Sequence, residues 1–366
     1  MSSIAARLGL QQRVLPIYRA PFFEALAGEC ARGLSVFAGQ ARPGEAIERS
    51  PSLQTARLAQ ARNLHLFNGR FYLCWQSGLL GWLHDWQPDV LVVEANPRYL
   101  HTPAAVRWMH SRRRPVLGWG LGAPAKSASA LPSALRRSFI NQFDALITYS
   151  QQGAQEYAAA GFRPERIFVA PNAAAARPLE HPPQRLAAYA AQGPVILFVG
   201  RLQARKRLDL LLQACAALVE TPPRLWIVGD GPERARLEAL ARQVYPQAQF
   251  FGARHGPDLN PLFEAADLFV LPGTGGLAVQ QAMSFALPVL VGEADGTQSD
   301  LVRPSNGWNL KPGDPQSLAD TLRQALADPA RLRRMGDESY RIVAEEINIE
   351  RMVQVFAQAI QAVREG

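Results

Sequence analysis

The run VILFVGRLQARKRLDLLLQACAAL, residues 195–218, decides how this chain is read. Five β-rich apolar residues lead into Gly200 and Arg201, a polar loop follows to Lys206, and the residues from Leu208 onward are apolar at helical spacing. A strand, a glycine turn, two cations and a helix N-terminus together suit a phosphate-bearing anion, because N–H groups, helix dipole and positive side chains converge there. The loop does not end in Gly-Lys-Ser/Thr, which excludes the P-loop nucleotidase signature. The chain has only three lysines (Lys126, Lys206 and Lys311), so a lysine in this loop points to a need for a compact point charge.

Two later loops repeat the pattern. In RLWIVGDGPERARLEALA (224–241), a strand runs through Gly229-Asp230-Gly231-Pro232-Glu233 into a helix. In LFVLPGTGGLAVQQAMSFALPVLVG (268–292), a strand ends in Pro272-Gly273-Thr274-Gly275-Gly276 and a helix opens at Leu277. Glycines there let the backbone approach a ligand, with amides aimed at an anion.

Working outward, the β-rich runs in this half are 194–200, 224–229, 249–253, 267–272, 288–292 and 306–310, with helical stretches between them. An earlier series, 35–39, 89–95, 115–120, 144–150 and 166–171, alternates with helices in the same way. Such alternation predicts α/β architecture with two doubly wound parallel sheets. Residues 1–178 form the first domain, the Pro- and Ala-rich stretch 179–193 a linker, 194–345 the second domain, and 346–366 a terminal helix expected to pack back on the first. The 366 residues, 48% hydrophobic and 19% charged, exclude a disordered, collagenous or coiled-coil chain. No apolar run spans a bilayer and the N-terminus lacks an apolar signal core, so a cytoplasmic protein is expected. Cys30, Cys74 and Cys215 offer neither a disulfide framework nor metal-ligand spacing.

The net charge of +8 is uneven: residues 1–190 hold 21 Lys+Arg against 11 Asp+Glu, and the remainder 18 against 20. A basic first half suggests an anionic partner, with Arg112–Arg114 and the 131–143 segment the densest patches. Nucleic acid is excluded by the lack of a basic, aromatic-interleaved strand or a recognition-helix pattern.

The three loops, in order, resemble the nucleotide-sugar half of family 4 glycosyltransferases, which have the GT-B fold: two Rossmann-like domains facing across a cleft. VGRLQARKRLDLLL (199–212) is similar to the family's diphosphate loop, and LNPLFEAADLFVLP (259–272) and DGTQSDLVRPSNGWNLKPGDPQSLADTL (295–322) match in spacing. LPIYRAPFFEALA (15–27), VEANPRYL (93–100), RRPVLGWGLGAPA (113–125) and FDALITYS (143–150) resemble a bacterial branch that makes surface polysaccharides. The resemblance implies transfer of a sugar from a UDP- or GDP-type donor to an acceptor hydroxyl with retention at the anomeric carbon. It implies no metal and no cofactor beyond the donor substrate, with two cations in the metal's place.

Arg201 and Lys206 are then expected to stabilise the departing diphosphate, with Glu94 the carboxylate placed as base or acceptor anchor. Donor contacts are expected from Gly200, Gly229, Gly231, Gly252, Arg254, Thr274, Gly275, Gly276, Leu277 and Gln281, and acceptor-side contacts from Tyr18, Arg19, Asn96, Arg98 and Leu121. A salt bridge to Glu24 is the alternative for Arg19. The family's two glutamates are replaced by Gly273 and Gln281, and its cleft histidine by Leu121. An amide at 281 still meets a diol, through a neutral bond about half as strong. A lipid-linked or oligosaccharide acceptor and an anionic membrane surface on the inner face of the cell would account for the basic half. The missing residues also fit a catalytically silent relative that binds a nucleotide sugar or a partner protein.

Overall fold

A computed structural model describes residues 4–42, 45, 47–122, 133–178, 181–254, 256–275, 277–292, 298–310 and 315–365. The chain divides into two units, Met1–Ala176 with Ile349–Gly366, and Arg177–Asn348.

The strands of the first unit are β1 (Leu8–Val14), β2 (Leu34–Gly39), β3 (Arg57–Gln60), β4 (Arg62–Leu66), β5 (Leu73–Ser77), β6 (Val90–Glu94), β7 (Val116–Gly120), β8 (Ala145–Thr148) and β9 (Ile167–Val169). Seven of them form a parallel sheet in the order β3-β2-β1-β6-β7-β8-β9, while β4 and β5 pair antiparallel as a separate hairpin. Strands β6, β7 and β8 are buried almost throughout, which is why they read as unbroken apolar runs. The strand order reverses between β1 and β6, so their carboxyl ends lie where doubly wound sheets bind ligands.

The second unit contains β10 (Val195–Val199), β11 (Arg224–Val228), β12 (Gln249–Gly252), β13 (Leu268–Leu271), β14 (Val289–Gly292) and β15 (Gly307–Leu310). Their order, β12-β11-β10-β13-β14-β15, is the dinucleotide-fold order, with its switch point between β10 and β13. That adjacency sets the Gly200 loop beside the Pro272–Gly275 loop.

Three expectations need correction. The first unit's series begins one strand earlier than residues 35–39, at Leu8–Val14, which the sequence pattern hides because Gln11 and Gln12 interrupt its apolar run. Residues 181–193 are no free linker: the Arg185 guanidinium donates to the carbonyls of Phe263, Ala266, Phe285 and Ala286 at 2.6–3.1 Å. The terminal helix begins at Ile349, and residues 346–348 belong to the second unit. Ile349, Met352, Val353, Phe356, Ile360 and Val363 fall on one face at helical spacing and enter the first unit's core. There Phe356 packs against Phe22 and Trp119 with ring centroids 4.9 and 5.0 Å apart.

Candidate functional site

In the second unit the chain leaves β10 at Gly200, makes a single 3-10 turn at Ala204–Lys206, and enters the helix Leu208–Ala216. Lys206 Nζ donates to the Thr274 carbonyl at 2.6 Å, Arg205 Nη1 to Thr274 Oγ1 at 2.9 Å, and the Thr274 amide to the Arg205 carbonyl at 3.1 Å. The two loops are thereby stitched together by Arg205 and Lys206, and a third cation, Arg201, opens the loop after β10. Arg201 is exposed and makes no hydrogen bond or ion pair with a described residue. Arg205 went unnoticed in the sequence, although the run Arg205-Lys206-Arg207 carried the signal.

Burial, with a smaller push from Arg205, lowers the Lys206 pKa to about 8. An arriving diphosphate would restore the charged form. Donor affinity is therefore expected to fall as pH rises through about 8, where the free ammonium loses its proton, by up to about tenfold per pH unit. Calorimetry of UDP or GDP binding from neutral to alkaline pH checks this; Lys206→Arg, which cannot deprotonate, should flatten the dependence.

The glycines act differently from the expectation. The amide of Gly200 donates to Val228 O, that of Gly229 to Gly252 O, and that of Gly231 to Asp230 Oδ1. The first two tie neighbouring strand ends together, the third closes a turn on its own loop, and all three are already bonded within the protein. The close approach is what glycine permits: a Cβ on Gly231, whose φ is +159°, would lie 2.3 Å from the Leu202 carbonyl oxygen. Gly273 is under the same constraint, since a Cβ there would lie 2.1 Å from Arg205 O and 2.7 Å from Lys206 Cα. Gly252 closes β12, and Arg254 is exposed just beyond it. Gly275 sits at the seam, where a Cβ would meet Lys206 Nζ. Leu277 and Gln281 lie on the helix Leu277–Ser284, Leu277 exposed and Gln281 half-buried. The neighbouring Gln280 is buried and donates to Ile347 O. Gly276 lies outside the described residues.

In the first unit, Glu94 ends β6 beside the end of β1. Its Oε2 accepts from the Arg13 amide at 2.5 Å, and its own amide donates to Gln11 Oε1 at 3.1 Å. Burial lifts its pKa to about 7 against the pull of Arg13 and Arg19. Folded protein thus binds this proton more tightly than unfolded chain does, so the stabilisation is present below about pH 4.5 and lost as pH rises through 7. Chemical denaturation is expected to show wild type losing stability relative to Glu94→Gln between about pH 5 and pH 8.

Around Glu94 lies a polar network that the sequence reading missed. Gln11 Nε2 donates to Gln76 Oε1, and Gln76 Nε2 donates to Gln12 O and Asn63 Oδ1 at 3.0 and 2.9 Å. His101 is buried: its Nδ1 accepts from the Gln76 amide, and burial lowers its pKa to about 4. Two glutamines inside an otherwise buried apolar strand, LGLQQRV, were the available signal.

Of the acceptor-side residues, Tyr18 and Leu121 are exposed. Asn96 Oδ1 accepts from the Arg98 amide at 3.0 Å, which shapes the loop after β6. Arg19 is a correction. It is only 4% exposed and lies 5.1–5.6 Å from the rings of Tyr18, Trp119 and Tyr149, so its guanidinium faces that aromatic cage and not an open surface. Glu24 does not pair with it; its carboxylate accepts from the amides of Gln54, Thr55 and Ala56.

Two family models match, a glycosyl transferase 4-like domain over residues 18–173 and glycosyl transferases group 1 over 193–328, together most of the chain. The chain belongs to glycosyltransferase family 4. A GDP-mannose-dependent alpha-mannosyltransferase of Mycobacterium tuberculosis is 36% identical over 42% of this chain and 41% of its own length. A lipopolysaccharide core biosynthesis glycosyltransferase of Rhizobium meliloti is 25% identical over 46% of this chain and 50% of its own. The chain thus spans about half the length of these curated relatives. Among solved structures, the lipopolysaccharide outer core galactosyltransferase WaaB superposes with a TM-score of 0.71 at 16% identity, covering 97% of this chain and 99% of that one. Anabaena HepE with UDP and glucose gives 0.66 at 17%, covering 97% and 99%. At such identities the likeness carries the fold, which is GT-B with two Rossmann-like domains.

Proposed function

We propose that this member of the family transfers a sugar from a UDP- or GDP-linked donor to an acceptor hydroxyl, with retention and without a metal ion. The observation that carries the reading is the cationic seam at the second sheet's switch point, where Lys206 and Arg205 join the loop after β10, which also carries Arg201, to the loop after β13. The bond between the anomeric carbon and the β-phosphate oxygen breaks, and the acceptor oxygen bonds to that carbon on the same face. The acceptor proton passes to the departing phosphate oxygen. Positive charge fixed beforehand at the seam favours that departure, and so replaces a metal.

The resemblance to polysaccharide and lipopolysaccharide enzymes supports a lipid-linked or oligosaccharide acceptor. Among the described residues no helix is long and apolar enough to cross a membrane. We place the reaction at the inner face of the cell membrane, with peripheral contact to anionic lipid.

Incubation with UDP- and GDP-sugars and a lipid-linked glycan acceptor tests the reading. The expected product is an anomer of the donor's own configuration, formed equally well with a chelator present. An inverted product or chelator-sensitive turnover contradicts it. Gly273 and Leu121, which replace a glutamate and a histidine of the family, favour the second reading, a silent sugar-nucleotide or partner-protein binder. Tight donor binding without hydrolysis or transfer would select that one.

A further inference from the structure

The β4–β5 hairpin is inverted in polarity. Its inward residues are polar or small: Asn63, His65, Cys74 and Gln76, tied into the network below β1. Four of its outward residues, Leu64, Leu66, Leu73 and Trp75, are apolar, with Arg62 and Ser77 at the open end. Leu64 pairs directly across from Trp75, and they are 43% and 41% exposed, with Leu66 at 42%. At the tip, Phe67 is 68% exposed and holds a left-handed backbone (φ +58°), a conformation that favours Asn or Gly. A bulky aromatic kept in that geometry and turned to water serves no core.

The one charged residue on the outward face of β4 and β5 is a cation, Arg62. From Arg49 to His84 the sequence has four arginines (Arg49, Arg57, Arg62 and Arg70) and no Asp or Glu. Arg62 lies on the outward face of β4, is exposed, and makes no hydrogen bond or ion pair with a described residue. Two copies docked face to face would set Arg62 of one against a face whose one charge is also positive, whereas an anionic lipid surface complements it. The other basic candidates are partly committed to the fold. Arg112 lies over Trp108 at 3.9 Å, Arg114 bonds Gln87 Oε1 and Pro88 O, and Arg137 bonds Ala160 O.

We infer that the β4–β5 hairpin is the element that enters an anionic phospholipid surface, its aromatic and leucine side chains in the headgroup layer and Arg62 among the phosphates. This rests on the membrane contact proposed above and names its site.

Flotation of the full chain with phosphatidylcholine vesicles, with and without phosphatidylglycerol, tests it. Wild type is expected to float with the anionic vesicles and to lose binding at high salt. Phe67→Ser should weaken partitioning about 10-fold, and Leu66→Ser with Phe67→Ser about 100-fold, with unchanged thermal unfolding because both side chains are exposed. Serine replacement of Arg112 and Arg113 should change it less than threefold. If the hairpin variants bind like wild type while the Arg112/Arg113 variant does not, the hairpin assignment falls and membrane contact stands. If wild type binds no vesicle, both fall. A wild-type dimer in size-exclusion chromatography that the hairpin variants convert to monomer also overturns the inference, because the face then serves a second copy.

Discussion

Lys206→Ala is expected to lower kcat by about 10²–10³, the cost of removing one preorganised charge from a developing anion. The ammonium is part of the fold before any substrate arrives: its Nζ is anchored at 2.6 Å on the Thr274 carbonyl. It need not reorganise as charge builds on the leaving phosphate. Alanine removes the charge and leaves the Thr274 carbonyl without that donor, so some loss of stability should accompany the change, about 1–3 kcal/mol. The kinetic split separates the two effects. Lost transition-state stabilisation lowers kcat more than it raises donor KM, and added methylamine should restore part of the rate. A variant with wild-type kcat would remove Lys206 from the reaction.

The second large effect concerns restoring the family's residue. Gly273→Glu is expected to slow transfer about 100-fold, not enhance it. A Cβ at this position would meet Arg205 O at 2.1 Å and the Lys206 backbone at 2.6–2.7 Å, so the loop carrying both cations must move. Overpacking of this kind costs about 1–3 kcal/mol, and a displaced Lys206 should lose about 10² in kcat. Gly273→Ala should show the same direction with a smaller loss, because the clash begins at Cβ. Thermal unfolding and steady-state kinetics of both variants check this. A Gly273→Glu enzyme as active as wild type would show that the seam tolerates a shift.

The same position shows how far the sequence could be read. The strand-and-helix alternation gave both sheets and their helices, because parallel strands buried on two faces leave unbroken apolar runs such as VLVVE and VILFV. The cationic loop was legible because Lys206 stands out in an arginine-rich chain. What glycine does there was not: residue identity does not say whether an amide faces a ligand or a neighbouring carbonyl, and at Gly200 and Gly229 it is the carbonyl. The network around Glu94 was hidden for another reason. Gln11, Gln76 and His101 are 25 or more residues apart in sequence and meet only after the hairpin folds back under β1. Arg19 looked like an available cation because sequence does not reveal that Trp119 and Tyr149 enclose it.

The most direct measurement is a crystal structure of the chain with an intact UDP- or GDP-sugar bound. The diphosphate oxygens are expected within hydrogen-bond distance of Lys206 Nζ and the Arg201 guanidinium, beside the Thr274 loop. A diphosphate held elsewhere, with both cations turned away from it, would leave the cationic loop no part in donor binding.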